Sequence, residues 1–289
     1  MSRKSQFAVF ACTAALLGAS APAQSPPPGA EGAKQALETS PRHAEWVDIE
    51  AQGYDKPVRC YVVYPERADS APVVIVIHEI FGLTDWVRAV ADSLAADGFI
   101  AIAPDLLSGM GPGSGGTEAF ESRDDVVEAI RALPDATVDS ALNAVRGYAA
   151  ALPAAADRFA TIGYCWGGSQ SFRYATVQPD LEAAVVYYGT SPDSEALAKV
   201  EAPVLGLYGG DDARVNATIE PAAKRMKELG KTYERHVYEG AGHGFLRQQE
   251  GRDGANLRAA EQAWPATIAF LREHLEAAAD EDPDAPSQE

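Results

Sequence analysis

The chain is poor in cysteine and in bases. Its 289 residues hold three cysteines, and 24 Lys plus Arg stand against 42 Asp plus Glu, a formal charge of −18. So few cysteines exclude a disulfide scaffold, and no CxxC or Cys/His spacing suggests structural zinc. The shortage of bases argues against a nucleic-acid binder, whose phosphate contacts come mainly from Lys and Arg, and it offers no attraction to anionic lipid. No HExxH pattern is present, and His78 and Glu79, as neighbours on one strand, would point to opposite faces, so a metal-dependent hydrolase lacks its motif. Neither a metal nor a cofactor is expected. Long apolar runs are missing too: the one from Phe7 to about Gly18 falls short of the ~20 residues a bilayer span needs.

That short run has another reading. Arg3 and Lys4 precede it and Ala21-Pro22-Ala23 follows it, the order of a cleavable export signal over residues 1–23. A periplasmic or secreted protein is expected, with no membrane attachment after cleavage. Residues 24–45, rich in Pro, Gly, Ala and Ser, read as a flexible linker. Residues 276–289 carry acids and no base, and read as a disordered acidic tail. One folded domain is left, 46–275, with no internal repeat; a monomer is expected.

Within it, strand-length apolar runs alternate with amphipathic stretches, the pattern of an α/β fold with a mostly parallel sheet flanked by helices. Val58–Tyr64 alternates like an edge strand, whereas Pro72–His78 and Phe99–Ala103 read as buried strands. Arg158–Gly163, Ala183–Tyr188, Val204–Tyr208 and Thr232–Tyr238 complete the set. Helices are expected from Thr84 or Asp85 to Asp97, near Ser122–Ala132, over Thr137–Leu152 and Ala217–Leu229, and from Asn256 to Leu275 with a kink or restart at Pro265. The glycine-rich stretch Leu107–Thr117 reads as a loop that could shape a site entrance.

The chemistry gathers at strand ends. Gly163-Tyr164-Cys165-Trp166-Gly167 ends one strand and opens a helix, the G-x-nucleophile-x-G turn. At that helix N-terminus the Cys165 thiolate is expected to be favoured, and the Trp166 N–H to face a developing oxyanion. Ser169 is a rival nucleophile in a poorer frame. Asp211 and Asp212 follow the next strand but one, and glycine-flanked His243 follows the last. Loops after parallel strands gather on one edge of the sheet, so a Cys, an Asp and His243 can meet in the order nucleophile, acid, histidine of the α/β-hydrolases. The loop after His78 would supply the second oxyanion donor, the Ile80 N–H, and places Glu79 at the mouth. A scaffold that binds without turnover is the other class of reading left open.

Four blocks in this order, HEIFGL at His78–Leu83, GYCWGG at Gly163–Gly168, GGDD at Gly209–Asp212 and AGHGF at Ala241–Phe245, resemble the dienelactone hydrolase family of cysteine-dependent α/β-hydrolases. The resemblance implies Cys165 as nucleophile, Asp212 as its acid, His243 as its base, and Ile80 and Trp166 as oxyanion donors. It also implies that Glu79 contacts the resting thiol and helps activate it when substrate binds, and that the substrate is a small ester or lactone. Of the two arginines with which dienelactone-cleaving members hold a carboxylate, one matches Arg247. The other aligns with Gly109, and the nearest substitutes, Arg123 and Arg131, lie beyond the glycine-rich loop. Weaker dependence on a substrate carboxylate is therefore expected.

Overall fold

The structure, a computed structural model, describes residues 24–276; the expected export signal and all but the first residue of the acidic tail lie outside that range. Eight strands form one sheet in the order β1-β2-β4-β3-β5-β6-β7-β8. They are β1 (Ala44–Ile49), β2 (Val58–Val63), β3 (Ala71–Ile77), β4 (Ile100–Pro104), β5 (Ala155–Tyr164), β6 (Ala183–Tyr187), β7 (Val204–Gly209) and β8 (Tyr233–Tyr238). The pairs from β4 to β8 are parallel, and β1 and β2 are antiparallel additions.

Every residue of β3, β4, β6 and β7 is buried, as continuous apolar runs require when helices cover both faces. Alternation sorts their side chains: Val74 and Val76 join one core with α2 (Asp85–Ala96) and α8 (Ala255–Glu276), while Val73, Ile75 and Ile77 join the other with α4 (Asp135–Ala150). Each fully buried Val, Leu or Ile contributes roughly 1.5–3 kcal/mol, so the two cores make the sheet a rigid base for its loops.

The connection from β3 to β4 runs one way across the sheet, and the path β5 to β8 runs the other. Ligands of open α/β sheets bind beyond the strand C-termini where the order reverses. Here that point lies between β3 and β5, whose following residues include Glu79 and Cys165.

Several sequence expectations are corrected. The stretch read as a flexible linker holds α1 (Ala33–Thr39) and the start of β1, with Ala33 fully buried and Leu37 packed on the core. Its anchors are polar, since Ser40 donates to Asp92 over 2.5 Å and Arg42 forms a two-pronged pair with the same carboxylate, and such anchors leave no apolar period to read. Because β1 lies outside it, β2 is an interior strand. The helix expected over 217–229 is α7 (Ile219–Glu228), which a short helix that was not expected, α6 (Ala213–Asn216), precedes, and α8 runs on through Pro265. The glycine-rich loop is tied down by Asp105, whose carboxylate accepts the Thr117 N–H and hydroxyl, both at 2.7 Å.

Candidate active site

Cys165 occupies the turn between β5 and α5 (Trp166–Tyr174) with φ 56° and ψ −115°, a conformation rare for a residue with a side chain. The turn closes only because a Cβ on Gly163 would lie 1.9 Å from the Gly167 carbonyl oxygen, and one on Gly167 2.3 Å from that of His78. The glycines let the helix sit against the sheet and hold Cys165 above its edge.

His243, in the loop after β8, places Nε2 3.0 Å from Cys165 Sγ and Nδ1 2.5 Å from Asp212 Oδ2. Asp212 is 7% exposed and caps α6, its other oxygen accepting the Val215 N–H at 3.4 Å. With Nδ1–H donating to this carboxylate, Nε2 is left to accept the thiol proton. Asp211 instead pairs with Arg252 on the half-exposed side. Ser169 is engaged with Thr190, at 2.9 Å between hydroxyls and 2.8 Å from the Thr190 N–H.

The electrostatics differ from expectation at two residues. Burial, reinforced by the charge of Glu79, pushes the Cys165 thiol up, against the opposing pull of the Trp166 N–H, Arg214 and the Ile80 N–H. The helix terminus therefore does not dominate, and the resting group is the neutral thiol. Glu79, 2% exposed, pairs with Arg247 rather than with the thiol: Nε of Arg247 lies 3.0 Å from Oε2 and directs its N–H to Oε1 at 3.3 Å. Burial pushes the Glu79 carboxyl up to about 7 in spite of Arg247 and Arg123.

His78 supports this arrangement. Its Nδ1 donates to the Glu79 carbonyl at 2.8 Å, Nε2 accepts the Leu106 N–H at 3.2 Å, and the ring stacks on Trp166 at 5.6 Å between centroids. Both ring nitrogens are committed, and burial pushes the imidazole down, so it stays neutral and holds the β3 loop in place.

A cavity of about 670 Å³ opens over the thiol, lined among others by Cys165, His243, Ile80, Trp166, Glu79 and Arg247. Arg131, from α3 (Arg123–Ala132), and Arg214 also line it. Gly109 does not: its φ is +77°, and a Cβ there would meet Lys56 at 2.9 Å. Arg123 lies over the Phe81 ring, 3.4 Å from its centroid, and faces a neighbouring cavity of about 780 Å³ that shares Glu79, Phe81 and Arg247. Sequence reasoning missed Arg214 and the support from His78. Arg214 directly follows the Asp212 turn, but nothing in its spacing shows that α6 would aim it at the thiol.

The profile of the family described as "Dienelactone hydrolase family" matches residues 58–275. A Salmonella typhimurium protein named "Putative carboxymethylenebutenolidase" is 32% identical over 239 residues, covering 78% of this chain and 86% of its own. A Bradyrhizobium protein named "Probable 2-oxo-3-(5-oxofuran-2-ylidene)propanoate lactonase" is 30% identical, covering 80% and 94%. The crystal structure titled as a putative dienelactone hydrolase from Klebsiella pneumoniae superposes with a TM-score of 0.70 at 30% identity, covering 80% of this chain and 99% of that one. With its glycine-flanked strand-to-helix turn at Cys165, its sheet order and the match across both, the chain belongs to the dienelactone hydrolase family of α/β-fold hydrolases.

Proposed function

We propose that this hydrolase cleaves small carboxylic esters or lactones through a thioester on Cys165. The observation that carries the reading is the continuous array from Sγ through the His243 ring to Asp212, at 3.0 and 2.5 Å. His243 Nε2 takes the thiol proton, and Glu79, with its raised proton affinity, takes part in that activation when substrate binds. Sulfur attacks the carbonyl carbon, and the oxyanion sits where the Ile80 and Trp166 N–H groups now face the sulfur. Collapse expels the alkoxide or enolate, which receives the proton from His243. Water, deprotonated by His243, then cleaves the thioester and releases the acid.

Thiolate attack favours good leaving groups, which suits enol-lactones and activated esters better than peptides. The names of the Salmonella and Bradyrhizobium relatives point the same way. Arg131 and Arg214 place positive charge on the cavity wall that the glycine at 109 does not supply, and an anionic lactone fits that wall.

The test is a mass spectrum of enzyme quenched during turnover of a slowly deacylating nitrophenyl ester. An acyl adduct on the Cys165 peptide is expected. Turnover without an adduct there, or with one on Ser169, overturns the mechanism.

Export belongs to the same proposal. Among the described residues no helix is long and apolar enough to cross a membrane, and the segment 1–23 has the charge and apolar pattern of a cleaved signal. N-terminal sequencing of protein from the native cell is expected to begin at Gln24; a cytosolic product beginning at Met1 or Ser2 overturns it.

A further inference from the structure

Among the described residues, four buried polar atoms near the site have no hydrogen-bond partner: Glu79 Oε2, the Tyr164 and Tyr188 hydroxyls, and the Trp86 indole N–H. They belong to one contiguous group. The Trp86 ring meets Tyr164 edge-on at 5.0 Å, Tyr164 lies 6.3 Å from Tyr188, and Tyr188 lies 5.2 Å from the His243 ring. The charge of Glu79 acts on both tyrosine hydroxyls, and Trp86 shares the larger cavity with Glu79. Tyr188, which directly follows β6, is held at φ 41°, a left-handed conformation that a bulky side chain adopts only at a cost and that concentrates at functional sites.

Buried hydroxyls and indole N–H groups are normally bonded. Here three spare donors belong to one aromatic group beside a carboxylate that has lone pairs to offer. Glu79 also faces a particular difficulty. If Arg247 turns to a substrate anion, Glu79 becomes a buried charge without a counter-ion, which proteins tolerate only when hydrogen bonds replace it.

We propose that Tyr164, Tyr188 and Trp86 form a second seat for the Glu79 carboxylate, which accepts their hydrogen bonds, directly or through one shared water, when Arg247 is drawn to substrate. The three are positioning residues. They set where the carboxylate rests and how readily it holds a proton, and the inference depends on the reading of Glu79 as a participant in thiol activation. Other charged or titratable groups face Glu79 from several elements: Arg247 from the loop after β8, Arg123 from α3, and Cys165 with His243 at the nucleophile turn. Exchanging tyrosine for phenylalanine leaves all of these in place.

The experiment is the pH profile of kcat, which reports the substrate complex, for a nitrophenyl ester whose acyl group carries a carboxylate to draw Arg247, in the wild type and in the Tyr164→Phe/Tyr188→Phe double variant, with Tm measured alongside. Loss of donors raises the proton affinity of the carboxylate, so the acid limb is expected to move up by about one pH unit. Turnover at pH 6 then falls about tenfold, while turnover near pH 8.5 falls less than about threefold. Idle hydroxyls predict otherwise: their removal would leave the limb in place and Tm unchanged or raised, because an unsatisfied buried group is lost. An unmoved limb, or an equal loss at every pH, overturns the second seat. Should the double variant not fold, Tyr188→Phe alone is expected to move the limb about half as far and carries the same test. Turnover that survives Cys165→Ala would instead overturn the reading of the whole site, whereas turnover that needs Cys165 but ignores both tyrosines overturns only this inference.

Discussion

Replacing Cys165 by Ala is expected to lower kcat/KM for nitrophenyl acetate by at least about 10⁴-fold, with little change in Tm. The size follows from what is removed. Without the thiol there is no covalent intermediate, and the oxyanion donors and the binding cavity alone leave roughly 10³–10⁴ over the uncatalysed reaction in enzymes of comparable design. The small effect on stability follows from the position of Cys165 at an element junction, only partly buried, where removing one sulfur atom opens little enclosed space. Serine is an instructive second exchange, since its hydroxyl would have to be deprotonated by a site arranged for a more acidic thiol; it too is expected to be nearly inactive. Activity in the Ala variant within tenfold of wild type would place the nucleophile elsewhere.

The second large effect concerns Glu79, where activity and stability are expected to move in opposite directions. Its carboxyl is pushed from an ordinary 4.5 up to about 7, so the folded state holds the proton more tightly than the unfolded chain. Below pH ~4.5 both states are protonated and the residue is neutral in its effect on stability. As pH rises towards 7 the unfolded chain ionises first, and stability falls; above 7 the full penalty of about 3 kcal/mol remains. Glu79→Gln cannot ionise. Allowing for the weakened bond to Arg247, the variant is expected to be more stable than wild type at pH 8 by about 1–2 kcal/mol and nearly equal to it at pH 4.5. Its kcat/KM at pH 7 is expected to fall by about 10²-fold or more, because the carboxylate that helps His243 activate the thiol is gone. Urea titrations at the two pH values check the sign. A variant less stable than wild type at pH 8 would mean that the Arg247 pair outweighs the cost of burial.

The parts of this site that could be read from the sequence are those whose chemistry is tied to a turn. The spacing of Gly163, Cys165 and Gly167 encodes a backbone shape, and that shape needs no knowledge of what packs around it. Asp212 and His243 were legible because each lies in the loop that follows a strand of a parallel sheet, so topology alone brings them to one edge. The charge state of Cys165 was not legible: it depends on burial and on Glu79, which arrives from a strand some eighty residues earlier. The pairing of Glu79 with Arg247 was hidden for the same reason, since Arg247 comes from the far side of the chain. The role of position 109 was half legible. Its glycine could be aligned, but the arginines that line the cavity in its stead come from helices whose orientation no local pattern specifies. At the chain's start, α1 escaped notice because one buried alanine and two polar anchors leave no periodic signal.

That first segment also bears on the order in which the molecule can be completed. The Pro27 carbonyl accepts a bond from the Gln249 side chain at 2.7 Å, a span of 222 residues, and the Ala30 N–H donates to the Arg247 carbonyl at 2.9 Å. A nascent chain emerges from its beginning, so although Ser40 and Arg42 can meet Asp92 early, Pro27 and Ala30 cannot take these bonds until the loop after β8 has been made. Closing so wide a loop costs only slightly more entropy than closing a shorter one, but it cannot happen early. Half-made chains therefore carry the cysteine without the clasp on the loop that bears its histidine and arginine, and the finished pocket belongs only to the full-length fold.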